Sequence, residues 1–134
     1  MVPSAATASP DRVAFPVQLV QPDGQRVLAR DHWPLIADIS PARIRELYAD
    51  MICMRRLDDE AVALQRQGEL GLWAPSRGQE AAQIGSAHAL AHDDYAFVSY
   101  REHGVALTRG VDPGLLTSMY RGTALSGWDP DTYR

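Results

Sequence analysis

The sequence has one cysteine and no lysine, and both shortages exclude classes of protein. A single cysteine, Cys53, rules out an intramolecular disulfide and a cysteine-rich metal site. We expect Cys53 to be a small buried apolar residue, because it lies between Ile52 and Met54. All 13 basic residues are arginines, scattered along a chain of net charge -4. That balance provides no general attraction for nucleic acid or for an anionic membrane.

Long apolar runs are also missing. No run approaches the length needed to span a bilayer. Residues 1–12 have neither the positive start nor the apolar core of a secretory signal. A length of 134 residues suits one domain rather than two. The sequence thus predicts a cytoplasmic protein.

Residues 1–40 are rich in proline and show no helical period. The segments 17–20 and 26–28 flank Pro22-Asp23-Gly24, a combination that favours a tight turn. We predict an extended N-terminal arm over 1–40 with a possible hairpin.

A long helix is predicted over 41–67. Ser40 can cap it, Pro41 suits its first position, and Gly68 is a natural stop. At the usual rise this helix would be roughly 40 Å long, whereas a compact chain of this length is roughly 35 Å across, so it needs a larger partner. The acidic run at 58–60 is interpreted as a solvated face, because consecutive helical residues point in different directions. One apolar stripe follows the helix: Ile44, Leu47, Tyr48, Met51, Ile52, Leu57, Ala61 and Leu64.

The rest of the chain predicts an α/β protein. A second helix is predicted over 78–90, a strand over 95–98, and short helices over 105–109 and 113–121. The alternation of helix and strand suggests a parallel sheet. Since a lone strand cannot satisfy its own backbone, the chain is either truncated or completed by another subunit.

Tyr100 and Arg101 are the best candidates for chemistry. They follow the end of the predicted strand, where ligands of open α/β sheets gather. Arginine offers a planar fork for phosphate oxygens, and tyrosine adds a neutral donor. The alternative is a polar turn in which Arg101 pairs with Glu102 or with a neighbouring carboxylate.

His88 and His92 stand four residues apart, a spacing that could place two imidazoles on one metal. No glutamate follows His88, and His92 falls where the helix should already end. We therefore expect packing or surface histidines, with no metal site and no catalytic residue on this chain.

Taken together, residues 47–129 resemble the alpha subunits of pyruvate and branched-chain 2-oxo acid dehydrogenases, the decarboxylating first component of those complexes. Order and spacing carry the resemblance more than any one segment does. The segments are LD at 57–58, LQRQG at 64–68, GQEAAQIGS at 78–86, SYREHG at 99–104, RGVDP at 109–113 and WDP at 128–130.

The resemblance implies the N-terminal part of a thiamine diphosphate-binding fold, mostly helical with one parallel-sheet strand, over a truncated domain at 41–134. It implies an α2β2 assembly with a beta subunit, and transfer of the acyl group to a lipoyl acyltransferase. Tyr100 and Arg101 would hold the cofactor diphosphate, and Leu72 would approach the substrate.

The sequence also departs from the family pattern. The Gly-Asp-Gly segment and the later asparagine that bind magnesium are missing from this chain, and the glutamate that activates the cofactor belongs to the beta subunit. We expect no activity from the chain alone. A truncated, non-catalytic subunit that only binds a beta subunit is the alternative, and the choice between pyruvate and branched-chain substrates is open.

Overall fold

The computed structural model describes residues 17–27, 31–123, 126–127, 129 and 131–132. These residues fall into two compact units, Met1–Ile39 and Ser40–Arg134. The predicted absence of a signal at 1–12, and residues 128 and 130 of the WDP segment, lie outside the described residues.

In the first unit, the predicted hairpin is reduced to one antiparallel bridge, between Val20 and Arg26. The turn between them closes through a hydrogen bond from the Gln21 amide to the Gln25 carbonyl, 2.7 Å long. Gly24 occupies a positive φ of 85°, which glycine adopts without steric cost. Leu28, at the end of the second predicted segment, lies outside the described residues, and a short 3-10 helix follows at Trp33–Leu35.

The second unit contains four helices among its described residues: α1 (Pro41–Arg66), α2 (Glu80–Ala89), α3 (His103–Thr108) and α4 (Pro113–Ser118). The predicted long helix is present and begins as expected, because the Ser40 side chain accepts a 3.1 Å hydrogen bond from the Arg43 amide. The Asp112 side chain caps α4 in the same way, through the Leu115 amide.

The core lies on one side of α1, against α2, α3 and the loop at 68–79. The buried side chains of α1 are Met54, Asp58 and Ala61, which are spaced to share one helix face. This face differs from the predicted stripe: Ile44, Tyr48 and Ile52 are all exposed. The buried apolar residues are Met54, Ala61, Leu70, Trp73, Ala74, Ile84, Ala87, Val105, Val111 and Leu116.

Two predictions about α1 are wrong. Cys53 is exposed rather than buried, since it lies one position before the inward face at Met54. Asp58 is not part of a solvated face, because only 2% of it is exposed. Asp59 and Glu60, the next two residues of α1, are exposed as predicted.

The predicted strand at 95–98 is also wrong. Residues 94–99 form no regular secondary structure, and the described residues contain no strand beyond the isolated bridge. The physical reason is that a strand exists by hydrogen bonding to a neighbour, and the described part of this chain provides none. The observed architecture is mostly helical, so the parallel-sheet strand is not supported. No described helix combines the length and apolar character needed to cross a membrane.

Candidate functional site

Tyr100 and Arg101 lie in a turn between the irregular residues 94–99 and the start of α3. The Tyr100 side chain projects outward, with 65% of the residue exposed. The Arg101 guanidinium carbon lies 5.7 Å from the centre of the Tyr100 ring, within reach of a cation–π contact. The two predicted ligands therefore lie side by side, with Tyr100 exposed and Arg101 half-buried.

Glu102 forms a hydrogen bond back to the residue that precedes Tyr100. Its carboxylate accepts a 2.6 Å hydrogen bond from the Ser99 amide. The hydrogen bond from Ser99 lowers the pKa of Glu102. Since the recorded partner of Arg101 is a main-chain carbonyl, described below, the alternative pairing of Arg101 with Glu102 is not what the structure records.

The main chain of the turn is held from two directions. Gln83, on α2, donates from Nε2 to the Arg101 carbonyl at 3.2 Å and accepts at Oε1 from the Gly104 amide at 2.9 Å. From the other direction, the Tyr120 hydroxyl donates to the Tyr100 carbonyl at 3.0 Å. The turn is thus fixed through its backbone, which leaves the Tyr100 side chain exposed.

The turn is also bonded to the loop at 68–79. Nη1 of Arg101 donates to the Pro75 carbonyl, and His103 Nε2 lies 3.3 Å from the Ala74 carbonyl oxygen. A carbonyl can only accept, so Nε2 of His103 carries the proton. A guanidinium has five N–H donors, and the bond to Pro75 leaves donors of Arg101 for a phosphate oxygen.

Asp58 anchors this loop to α1. One of its oxygens, Oδ1, accepts from Trp73 Nε1 at 2.9 Å, from the Ser76 amide at 3.0 Å and from the Ser76 hydroxyl at 3.3 Å. A buried carboxylate is tolerated where donors surround it, and here three donors from the loop do so. These contacts give Asp58 a structural role, since they hold the loop at 68–79 to α1.

His103 is packed between two aromatic rings. Its ring stacks on that of Trp73, with centroids 4.1 Å apart and 21° between the planes, and it meets the edge of Tyr120 at 5.4 Å. Burial lowers the pKa of His103, so the neutral imidazole is favoured in the fold. The three rings join the loop, α3 and the residues after α4 into one buried cluster.

Leu72 lies on the exposed part of the same loop, with 64% of the residue accessible. Its neighbour Gly71 donates an amide hydrogen bond to the Tyr120 carbonyl at 2.9 Å. Because Tyr120 also bonds Tyr100, the structure connects the segment carrying Leu72 to the turn carrying Tyr100 and Arg101 through one residue.

The histidine pair is not brought together on a metal. His88 has Nε2 at 2.6 Å from an Asp50 oxygen and Nδ1 at 2.7 Å from Nη2 of Arg43, so it links α1 to α2. Across the described residues, no group of three or more His, Cys, Asp and Glu side chains is arranged to hold a metal ion.

Sequence reasoning missed four residues that build the site: Asp58, Gln83, His103 and Tyr120. The first three lie inside the segments that carry the family resemblance, which was the available signal for them. Tyr120 lies in none of those segments, and its two contacts depend on how α4 folds back onto the loop.

Comparison with known proteins defines the class. Residues 48–128 match the family described as "Dehydrogenase E1 component". The chain belongs to this family, and its resemblance to the alpha subunits of 2-oxo acid dehydrogenases is confirmed.

Individual relatives carry names of two kinds. The "3-methyl-2-oxobutanoate dehydrogenase subunit alpha" of Mycobacterium tuberculosis is 49% identical over 108 residues, which cover 81% of this chain and 29% of that protein. The "Pyruvate dehydrogenase E1 component subunit alpha" of Staphylococcus epidermidis is 38% identical over 98 residues, covering 69% of this chain and 25% of that protein. The protein of the same name from Staphylococcus aureus is 40% identical over 80 residues, which cover 55% of this chain and 22% of that protein. The chain thus spans less than a third of the length of these relatives. No solved structure was found to match it.

Proposed function

We propose that this chain forms the N-terminal part of the alpha subunit of a thiamine diphosphate-dependent 2-oxo acid dehydrogenase, in which Tyr100 and Arg101 bind the diphosphate of the cofactor. The observation that carries the proposal is the turn itself: a cationic fork and a phenol lie side by side at the surface, on a backbone held by Gln83 and Tyr120. Such preorganised donors suit an anion with several oxygens.

The residues present fit part of the cofactor. Charged hydrogen bonds from Arg101 and a neutral one from Tyr100 would hold phosphate oxygens. When bound, thiamine diphosphate supplies the carbanion chemistry that decarboxylates a 2-oxo acid. Leu72, exposed on the connected loop, would face the substrate side chain. The magnesium ligands and the activating glutamate would come from the rest of the alpha subunit and from a beta subunit, and a lipoyl acyltransferase would accept the acyl group in the cytoplasm.

The test of the diphosphate contact is cofactor binding by the assembled enzyme, with the remaining alpha-subunit sequence and a beta subunit supplied. A hydrogen bond to a charged group is worth about 1.5–3 kcal/mol, so Arg101→Ala should weaken thiamine diphosphate binding about ten- to a hundredfold by calorimetry. Arg77→Ala is the matched control, because Arg77 lies on the connected loop but pairs with the exposed Asp59. Equal affinity of wild type and Arg101→Ala would refute the assignment.

The 134-residue chain by itself should show no 2-oxo acid decarboxylation with thiamine diphosphate and magnesium. The physical reason is that, under this proposal, the chain supplies diphosphate contacts without the metal ligands or the base. Turnover that survives repurification and disappears in Arg101→Ala would contradict this expectation.

A second candidate is a non-catalytic subunit that binds a beta subunit. The observation in its favour is the outward side of α1, where Ile44, Tyr48 and Ile52 are 42%, 61% and 51% exposed. Apolar patches of this kind mark interfaces. The same reconstitution separates the candidates, since this one predicts stable binding of the beta subunit with no contribution of Arg101 to cofactor affinity.

A further inference from the structure

The Gln83 side chain links α2 to Arg101 and Gly104, at the end of the candidate phosphate turn that leads into α3. Gln83 is 4% exposed, and its amide makes three hydrogen bonds: Nε2 donates to the Arg101 carbonyl and to Oε1 of Gln79, and Oε1 accepts from the Gly104 amide. These partners fix the orientation of the amide, because a main-chain N–H can only donate and a main-chain carbonyl can only accept.

The start of α3 lies directly against this side chain. A Cβ atom at Gly104 would lie 3.1 Å from Gln83 Oε1 and 2.5 Å from the sulfur of Met54, which is itself 1% exposed. The backbone at 104 therefore approaches Gln83 as closely as only glycine allows. In this packing, the amide of Gln83 reaches the main chain directly, so a change at Gln83 acts on the turn rather than on a remote surface.

The other end of the turn is held without obstructing its side chains. Tyr120 bonds the Tyr100 carbonyl, while the Tyr100 ring remains largely exposed. Neither Gln83 nor Tyr120 uses a side-chain donor of Tyr100 or Arg101. The groups proposed to bind phosphate are thus positioned by contacts that do not consume them.

We propose that Gln83 is a positioning residue for diphosphate binding: by holding the Arg101 carbonyl and the Gly104 amide, it sets the backbone from which Tyr100 and Arg101 reach the ligand. This inference rests on the proposed function of that pair. Binding is strengthened when the donors are already ordered, because their ordering entropy is not lost on association.

Two substitutions distinguish the hydrogen bond to the Arg101 carbonyl from the one to the Gly104 amide. Gln83→Met keeps the length of the side chain and removes every hydrogen bond, whereas Gln83→Glu keeps an acceptor for the Gly104 amide and has no donor for the Arg101 carbonyl. Gln65→Met, a change of the same kind at a half-buried position on α1, is the matched control. The probe is thiamine diphosphate with magnesium for the assembled enzyme, and NMR of the 134-residue chain reports on the turn.

In the 134-residue chain, Gln83→Met should speed exchange of the Gly104 amide about three- to tenfold, as expected for one lost hydrogen bond. Gln83→Glu should leave that exchange near the wild-type rate while still moving the Arg101 carbonyl chemical shift. In the assembled enzyme, both variants should weaken cofactor binding about three- to tenfold. Gln65→Met should change none of these quantities.

Unchanged Gly104 exchange in Gln83→Met, an unprotected Gly104 amide in the wild-type chain, or wild-type cofactor affinity in Gln83→Glu would each overturn the inference. If Gln83→Met does not fold, Gln83→Glu decides. Failure of the proposed function looks different: wild type and Arg101→Ala would bind the cofactor equally. In that case the Gly104 exchange and the Arg101 carbonyl shift still decide whether Gln83 positions the turn.

Discussion

Two neighbouring regions of the second unit differ sharply in how completely they are packed. Around the loop at 68–79, Asp58 is 2% exposed and Trp73 and His103 are 3% exposed. Among the described residues, no buried side-chain nitrogen or oxygen lacks a hydrogen-bond partner. In the irregular segment 94–99, by contrast, Tyr95 is 85% exposed and Phe97 is 98% exposed.

The difference shows which contacts this chain makes for itself. The polar groups of the loop, the turn and the helices form hydrogen bonds with one another. The recorded contacts that hold the candidate phosphate turn therefore come from within the described residues. The irregular segment presents aromatic side chains and, at 95–98, backbone without a recorded hydrogen-bond partner, a combination that recruits another chain or a further strand. We therefore expect the isolated chain to be helical but to bind a hydrophobic dye or to associate.

The largest effect is expected from breaking the packed region at Asp58. Asp58→Ala leaves the Trp73 indole N–H and the Ser76 amide buried without their acceptor, which should lower the free energy of unfolding by about 3 kcal/mol. Urea unfolding of the chain measures it. Asp59→Ala is the control, because Asp59 is exposed and its pair with Arg77 should contribute less than about 1 kcal/mol. Equal costs for the two substitutions would contradict the role assigned to Asp58.

A slightly smaller loss is expected from overpacking at Gly104. Gly104→Ala would place a methyl group 2.5 Å from the buried Met54 sulfur, so the free energy of unfolding should fall by about 2 kcal/mol. In Gly85→Ala, by contrast, the new methyl group meets no heavy atom within 4 Å beyond the adjoining backbone of its own helix, and it replaces a glycine inside α2. That control should stabilise the helix by about 0.5–1 kcal/mol. A neutral Gly104→Ala would show that Met54 can move aside.

Acid should weaken the packed region through Glu80. The hydrogen bond from Arg55 lowers the pKa of Glu80 from 4.5 to about 2. A carboxyl whose folded pKa is depressed stabilises the fold above its unfolded pKa, and this contribution is lost as pH falls from 4.5 toward about 2. The stability difference between wild type and Glu80→Gln should shrink over that range. Glu60→Gln, in an exposed pair with Arg56, should have little effect at any pH. A difference that stays constant with pH would refute the linkage.

The smallest effect on stability is expected from a substitution in the exposed segment 94–99, at Phe97. Phe97→Ser removes a side chain that is 98% exposed, so the free energy of unfolding should change by no more than about 0.5 kcal/mol. Dye binding and self-association should fall clearly, because the apolar surface is smaller. Substitution of the buried Val105 by serine is the opposite control, with a large loss of stability and more dye binding. Unchanged dye binding in Phe97→Ser would locate the apolar patch elsewhere.

Local signals predicted the elements that local interactions build. The long helix begins at Pro41, where Ser40 caps it. It ends at Arg66, two residues before Gly68, a glycine with a positive φ. α4 likewise begins at the predicted position, Pro113, where Asp112 caps it. Each of these features is decided within a few residues of sequence, so composition and spacing were sufficient to predict it.

The failures all involve contacts between distant segments. The segment 95–98 has the residues of a strand, but a strand needs a partner that the described chain does not supply. Asp58 is buried only because the loop after α1 folds back to give it three donors. Cys53 has apolar neighbours, yet it lies off the face that this loop and α2 cover. For the site, the sequence placed Tyr100 and Arg101 at the end of a strand that the described chain does not form, and it gave no sign that Gln83 holds their turn.

The close approach at Gly104 also limits how this sequence can drift over evolutionary time. A side chain at position 104 is accommodated most easily when Met54 or Gln83 becomes smaller in the same lineage, because a Cβ there would overlap the Met54 sulfur and press on Gln83. A smaller residue at Gln83 would in turn release the Arg101 carbonyl. Substitutions at 54, 83 and 104 should therefore be inherited as correlated sets across related sequences, the statistical signature of residues in spatial contact. The neighbouring Gly85, with open space around it, should vary independently of all three.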